Sequence, residues 1–267
     1  RSKPKYFFEA TRLISERIGY STRRTKTTES SVKTVSAADA KSILNALNIK
    51  EDTDVSVSDI CEYINYRANI LNDGVKPFLM DRARASTLYK KECADKAPKT
   101  PPIMNKQKGD KRHESYLACL VQIQAEHILG YGAFDNDPQK LAFLTDNHQQ
   151  LKKCFARRFD GCVPSVDNPK IVWEIKEYYG TTTFGSRVAD GVYETLLDGY
   201  EIVEARERGC DVEHYLFVDD YFTWWVLGKS YLCRIIDMLH TGHVDCVYFG
   251  EQVVTEFPSD LRSALKF

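Results

Sequence analysis

The sequence predicts an α/β protein in two parts: a mostly helical, basic N-terminal region, then a mixed central sheet flanked by helices. Three observations lead there. The first is charge. Over 267 residues the formal net charge is −1. Residues 1–112 nevertheless hold 23 Lys and Arg against 14 Asp and Glu, a balance of +9, and residues 113–267 hold 14 against 24, a balance of −10. The second is the run Ala97-Pro98-Lys99-Thr100-Pro101-Pro102, which neither a helix nor a central strand accommodates, because proline lacks the amide N–H that both use. The third is a change of hydrophobic period, from helical stripes before that run to β-branched and aromatic runs after it. Together they divide a helical region, 1–104, from an α/β domain, 105–267. A composition of 43% hydrophobic and 28% charged residues is that of a chain that folds around a core.

In the front part, Tyr6–Ile18 lines up Phe7, Phe8, Leu13, Ile14 and Ile18 on one helical stripe. Ser21–Thr28 is polar and basic and reads as an exposed loop. Ser36, with Asp39 three residues on, forms a capping box with Asp in place of Glu, ahead of Ala40, Ile43, Leu44 and Leu47. Ser58 is the expected cap of a further helix, Asp59–Leu71, ended by Asn72-Asp73-Gly74. Lys76–Lys91 reads as a basic helix. The linker continues through Lys106–Arg112.

Behind it, His113–Leu129 is an amphipathic helix with Leu117, Leu120, Val121, Gln124 and Ile128 on one side. Residues 151–163 read as a strand and turn, and Ile171–Tyr179 as a β-branched and aromatic strand. Ser186–Arg208 is a helix capped by Ser186 and stopped by Gly209. A strand at Glu213–Val218, a helix at Trp224–Leu239 closed by Thr241-Gly242, and a strand at Val244–Phe249 complete the order α, β-β, α-β-α-β. No internal repeat is present.

Some classes of protein are excluded. No apolar run approaches the roughly 18 to 20 residues that span a bilayer; the longest, Trp224–Leu239, is broken by Gly228, Lys229, Arg234 and Asp237. The opening residues carry no apolar segment of the signal-peptide kind. The chain does not begin with Met, which leaves room for residues upstream. The eight cysteines form no CxxC pair, and Cys119, Cys233 and Cys246 sit among apolar residues, as buried thiols of an intracellular protein do. The basic front part points to a polyanionic partner.

The chemistry-bearing stretch is Asp160-Gly161 followed by Ile171-Val172-Trp173-Glu174-Ile175-Lys176. On a strand, i and i+2 share a face, so Glu174 and Lys176 project together and Trp173 and Ile175 face the other way. Apolar neighbours mark a central strand, where a buried carboxylate and ammonium cost several kcal/mol per ion unless a partner offsets it. A divalent cation is such a partner. Asp160, read as ending the preceding strand next to a turn-permitting glycine, meets Glu174 if the two strands are neighbours. Two convergent carboxylates with a lysine suit metal-assisted phosphodiester hydrolysis. Oxygen ligands favour Mg²⁺, with Mn²⁺ as a substitute, and Lys176 would orient the attacking hydroxide. The competing readings are an ordinary salt bridge for Glu174 and Lys176, and a turn-forming Asp for Asp160.

Asp160, thirteen intervening residues, then Glu174-Ile175-Lys176 resembles the PD-(D/E)XK nuclease superfamily, in particular the type II restriction endonucleases. The resemblance covers roughly residues 108–250 and includes a Lys108-Gly109…His113-Glu114 lead-in. It implies a restriction-endonuclease-like core, Asp160 and Glu174 as metal ligands, Lys176 as the catalytic lysine and Glu114 as an auxiliary acid. The residue before Asp160 is Phe159 rather than Pro, which leaves Asp167 as a rival first acid. For Glu114 a solvated first-turn carboxylate is the alternative.

Thr181–Arg187 leads into a helix N-terminus, where Thr183, Ser186 and Arg187 are candidates to hold a DNA phosphate, against a plain loop and cap. Asp219-Asp220 reads as a pair of helix-capping acids, and His240, His243 and Cys246 as a helix end rather than a zinc site. In the front part Arg23, Arg24, Lys26, Arg82 and Arg84 are candidate DNA contacts. The helices at 37–47 and 58–71 are a candidate helix-turn-helix, with a dimerisation or packing domain as the alternative. The expectation is a Mg²⁺-dependent endonuclease of double-stranded DNA, a sequence-specific restriction enzyme of a prokaryotic cytoplasm. The resemblance further implies a homodimer. Its competitors are another DNA nuclease on the same core, for repair, transposition or phage defence, and a non-catalytic DNA-binding protein. A glycosidase with paired carboxylates is more distant, since it gives Lys176 no role.

Overall fold

The computed structural model describes residues 6–50, 56–106, 108–109, 112–179 and 185–266. They form an α/β protein with a mixed five-stranded sheet flanked by helices and a helical N-terminal part. The chain divides into two compact units. The smaller runs to Pro77 and takes in Trp224–Asp237; the larger holds Phe78–Thr223 and the residues from Met238.

In the smaller unit, α1 (Phe7–Ile18), α2 (Ala37–Ala46) and α3 (Val57–Asn69) pack around Phe7, Ile14, Leu44, Ile60 and Ile64. The expected capping box holds: Ser36 Oγ accepts the Asp39 N–H at 3.1 Å and its hydroxyl donates to the Asp39 carboxylate at 2.7 Å. Ser56, not Ser58, caps α3 and accepts the Ser58 N–H at 3.1 Å, since two serines two residues apart have the same chemistry. A π-helical turn, Ile70–Val75, carries α3 through Asn72-Asp73-Gly74. The helix expected over Trp224–Leu239 is interrupted: a π-helical turn at Phe222–Leu227 gives way at Gly228 to α7 (Lys229–His240). Arg67, 1% exposed, donates to both oxygens of Asp237 at 2.9 and 2.8 Å, and Tyr63 donates to the same carboxylate at 2.7 Å.

The larger unit begins ahead of the boundary expected near residue 104, because α4 (Arg82–Lys96, capped by Asp81) packs along α5 (Tyr116–Leu129). The proline run is laid against α5 rather than left as a linker. Glu126 accepts the Lys99 and Thr100 amides, and Gln122 donates to the carbonyls of Thr100 and Pro101. The sheet comprises β1 (Asp135–Asn136), β4 (Gly161–Val163), β5 (Ile171–Glu177), β6 (Glu213–Asp219) and β7 (Cys246–Phe249), neighbours in that order. The pairs β1–β4 and β4–β5 are antiparallel, and β5–β6 and β6–β7 are parallel. The crossover from β5 to its parallel neighbour is α6 (Ser186–Glu207), as parallel pairing requires.

Residues 151–163, expected as one strand and turn, belong to two sheets. β3 (Leu151–Cys154) pairs with β2 (Phe143–Thr145), and Phe155 and Phe159 then turn into the core, ring against ring, before β4. One face of β5 presents Trp173 to Leu117 and Leu120 of α5 and to Phe257 and Leu261 of the C-terminal α8 (Gln252–Thr255) and α9 (Phe257–Leu265) pair. The other face presents Val172 to Ile202 and Ala205 of α6. All eight cysteines are free. Among the described residues no helix is long and apolar enough to cross a membrane.

Candidate active site

Asp160 immediately precedes β4 rather than ending an earlier strand. Antiparallel pairing sets Gly161 opposite Trp173, so one step further the register faces Asp160 with Glu174. Gly161 is required there, because a Cβ would meet the Trp173 indole at 2.1 Å. Two bonds fasten Asp160 to β5: its N–H donates to the Trp173 carbonyl at 3.0 Å, and its Oδ2 accepts the Ile175 N–H at 2.7 Å. The alternation read from sequence puts Glu174 and Lys176 on one face. Lys176 Nζ lies 2.8 Å from Glu174 Oε2, and the two residues are 8% and 1% exposed. Gly191 of α6 lets the helix close over this face; a Cβ there would stand 3.4 Å from the Lys176 chain and 2.7 Å from the Tyr178 hydroxyl.

Three side chains that the sequence reading did not single out complete the cluster. Arg157 Nη1 lies 2.6 Å from Asp198 Oδ2 and 3.2 Å from Glu174 Oε2, and its Nη2 lies 3.2 Å from Glu194 Oε2. Glu194 and Asp198 come from α6, where Val188, Val192, Thr195, Asp198, Ile202 and Ala205 are all buried. That spacing was the available signal: an aspartate lying within an apolar helical stripe rather than beside it.

The electrostatics follow from burial and crowding. The Asp160 carboxyl is pushed up to about 7, first by burial and then by the Glu174 charge, with Lys176, the Ile175 amide and Arg157 opposing. Burial, then Glu174, likewise raises Asp198 to about 7, against Arg157. Burial alone would lower Lys176 and Arg157. The carboxylates beside them outweigh it, so both stay firmly protonated. Four carboxylates (Asp160, Glu174, Glu194, Asp198) therefore meet two cations (Arg157, Lys176). Two carboxylate oxygens, Glu174 Oε1 and Asp198 Oδ1, are buried with no hydrogen-bond partner. A cleft of about 730 Å³ opens over Asp160, Glu174 and Lys176, with Lys106, His113 and Arg187 also on its wall.

The acids fit a hard divalent cation. They outnumber the two cations beside them, Glu174 lines the cleft and keeps one buried oxygen, Oε1, without a partner, and a cation that keeps several of its waters needs only one or two protein carboxylates. Among the described residues no group of three or more His, Cys, Asp or Glu is placed to hold a metal, so the fit rests on the Asp160–Glu174 pair.

Other expected site residues lie elsewhere. Glu114 is not brought to the cluster. It pairs through its backbone with Met104, and its charge acts on Tyr89 and Cys119. The carboxylate at the start of α5 is instead that of Glu177, which accepts the Leu117 and Ala118 amides at 2.9 and 3.2 Å. Burial nevertheless raises it to about 8, those amides opposing. Asp167 is exposed, its backbone engaged with Ser165 and bridged to Phe143, so Asp160 and not Asp167 faces Glu174. Arg187 is exposed on the cleft, and Ser186 is the first residue of α6, whose N-cap is Gly185. Thr183 lies outside the described residues.

Arg23, Arg24 and Lys26 are exposed in the smaller unit, on a loop closed by hydrogen bonds between Thr22 and Ser31. Arg82 is exposed, whereas Arg84 is engaged by both oxygens of Glu251 at 2.7 and 2.6 Å. Asp220 caps Thr223 at 3.0 Å, and Asp219 accepts the Met80 amide and the Tyr179 hydroxyl. His243 is bound to Thr241 and packs on Tyr200.

Residues 80–264 match the model of a family described as a domain of unknown function (DUF7687). The chain belongs to the DUF7687 family. Residues 1–74 match a second domain of unknown function, DUF7690. No curated protein and no solved structure matches the chain. The Asp160, Glu174 and Lys176 cluster lies wholly within the DUF7687 match, as do Arg157 and the acids of α6.

Proposed function

We propose that this chain is a Mg²⁺-dependent endonuclease of double-stranded DNA, of the restriction-endonuclease-like PD-(D/E)XK kind. The observation that carries the reading is that the register faces Asp160, just ahead of β4, with Glu174 of β5 beside Lys176, all three lining one cleft, while Glu174 Oε1 is buried without a partner. The mixed sheet, with the Glu-x-Lys strand at its centre, supports the same reading. An ordinary salt bridge accounts less well for the cluster. A pair built for stability leaves no excess charge and no orphaned carboxylate oxygen, because each costs free energy in a buried place.

Bound by Asp160 and Glu174, Mg²⁺ would polarise a phosphoryl oxygen and lower the pKa of a coordinated water. The chain's own groups do the rest. Lys176, kept protonated by Glu174, offsets charge on the phosphate and orients the water. Arg187 and Lys106, which line the cleft, would meet the flanking phosphates. The exposed Arg23, Arg24 and Lys26 of the smaller unit, and separately Arg82 of the larger, are candidate contacts for the polyanion. A homodimer acting on a two-fold-symmetric site, in a prokaryotic cytoplasm, belongs to the same reading.

The test is cleavage of plasmid DNA in Mg²⁺, in EDTA, and by Lys176→Ala. Cutting is expected in Mg²⁺ only, with the variant slower by about 100- to 1,000-fold. Cutting that survives EDTA, or an equally active variant, rejects the mechanism. Mapped fragment ends at one fixed sequence identify a restriction enzyme, and scattered ends another nuclease on the same core.

A further inference from the structure

Arg23, Arg24 and Lys26 of the smaller unit sit on a preformed hairpin. Ser21 and Val32 pair antiparallel, the Thr22 N–H donates to the Ser31 carbonyl at 2.9 Å, and the Lys33 N–H donates to the Tyr20 carbonyl at 3.0 Å. The same register reaches the tip, where the Thr25 N–H donates to the Thr28 carbonyl at 3.0 Å across Lys26 and Thr27. Hydroxyls close the rungs: Thr22 Oγ1 accepts the Ser31 N–H and Thr25 Oγ1 the Thr28 N–H, both at 2.9 Å. The returning strand is pinned. Asn72 bonds the N–H and the carbonyl of the buried Val32 at 3.0 and 3.1 Å, and Glu29 holds Lys76 at 2.6 Å and the Trp225 indole at 3.3 Å.

Packing is not what this arm supplies. Residues 22–31 include no apolar side chain, and 22–29 are all exposed. Two strands without an apolar face are marginal by themselves, so the order of the arm depends on its anchors at Asn72 and Glu29. What it presents to solvent is charge and donors. Among the described residues Arg23, Arg24 and Lys26 make no ion pair or hydrogen bond, and the one acid of the arm, Glu29, is occupied.

Dimensions decide where such an arm fits. From Ser21 to Lys26 a strand extends roughly 17 Å, and paired strands lie about 5 Å apart. The major groove of B-DNA, about 12 Å wide and about 8.5 Å deep, admits a two-stranded ribbon, and the minor groove is about half as wide. Guanine O6 and N7 in the major groove accept from Arg and Lys.

Resting on the reading of double-stranded DNA as the substrate, though not on the metal chemistry of the cleft, we propose that residues 22–31 are an arm that enters the DNA major groove. Arg23, Arg24 and Lys26 donate to base edges there and to the flanking phosphates.

The experiment is fluorescence anisotropy of the full chain in EDTA, over a salt series, with a labelled DNA duplex and the RNA duplex of the same sequence. Wild type is compared with the triple variant Arg23→Gln, Arg24→Gln, Lys26→Gln, its folding checked by circular dichroism. On DNA the variant is expected to bind at least about 30-fold more weakly, and the slope of log affinity against log salt to fall by about 2 to 3. On RNA, whose major groove is too deep and narrow to enter, the loss is expected to stay under about threefold. No DNA binding by the wild type, equal binding by the variant, or a loss on RNA as large as on DNA overturns the proposal. Should the triple variant not fold, Lys26→Gln decides, with a slope lower by about 1 expected and an unchanged slope against the arm. Plasmid cleavage in Mg²⁺ keeps the two readings apart. A wild type that cuts beside a variant that binds equally leaves the nuclease without the arm; a chain that binds through the arm and never cuts leaves the arm without the nuclease.

Discussion

Two buried ionic clusters, one in each unit, differ in how their acids and cations are matched. In the smaller unit Arg67 meets Asp237, one charge against one. Both oxygens of the carboxylate are occupied, by Arg67 and Tyr63, and Arg67 Nη2 donates to Ser15 at 2.7 Å, while its Nε is buried without a partner. The guanidinium also faces the rings of Tyr20 and Tyr63. In the larger unit four acids meet two cations, and two carboxylate oxygens find no donor. Desolvating an ion is costly in both places. In the first the single acid is met on both oxygens; in the second the acids outnumber the cations and two of their oxygens are left over. A cluster with more acids than cations beside a cleft is the arrangement that the proposed function uses, whereas a matched pair is enough to hold a fold.

The comparison breaks most readily at Asp237. Asp237→Ala strands Arg67 in a site where it is 1% exposed and is expected to cost about 3–5 kcal/mol in a denaturant titration. Arg67→Met combined with Asp237→Leu should cost far less, since an apolar pair of similar volume leaves no buried charge. If the double replacement is as damaging as the single one, the cluster is more than a fold device.

Asp160→Asn tests the opposite case. It removes a charge from a crowded site and keeps an oxygen to accept the Ile175 amide, so stability at pH 8 should rise by about 0.5–2 kcal/mol while DNA cleavage disappears. A destabilised variant would assign Asp160 to the fold.

Acid gives the smallest separation. His214 is fully buried, its Nδ1 2.9 Å from the His243 carbonyl, and burial holds its pKa below the usual value near 6.5 despite that carbonyl and Glu174. The unfolded chain therefore binds the proton first. The stability due to neutral His214 is complete above pH 6.5 and declines as pH falls toward the folded value, by at most about 1.4 kcal/mol per pH unit. His214→Gln should flatten that slope in pH-dependent unfolding of the larger unit, while the charge of Arg67 is constant throughout. An unchanged slope would place the acid sensitivity elsewhere.

Local pattern carried the reading furthest where one element decides. Apolar runs at Ile171–Tyr179 and Glu213–Val218 mark the central strands, and the period of two puts Glu174 and Lys176 on one face before any partner is known. The Ser36–Asp39 cap is likewise local, made by two residues three positions apart. Short or irregular pieces were less legible. β2 and β3 are a small separate hairpin without a buried stripe, and Gly228 breaks a segment whose apolar content reads as a single helix. The proline run marks a real interruption of regular structure, but its place against α5 depends on Glu126 and Gln122, two side chains more than twenty residues away.

What the chain by itself determined is the class of fold, the strand that carries the Glu-x-Lys pair, and the face that pair shares, because backbone alternation and helical periodicity are properties of contiguous residues. Only the tertiary structure decided that Asp160 rather than Asp167 faces Glu174, that Glu177 takes the place at α5 expected for Glu114, and that Arg157 bridges to Asp198. Those meetings are set by strand register and by the crossover of α6, and the energy of a buried charge depends on which side chains arrive beside it from distant parts of the chain.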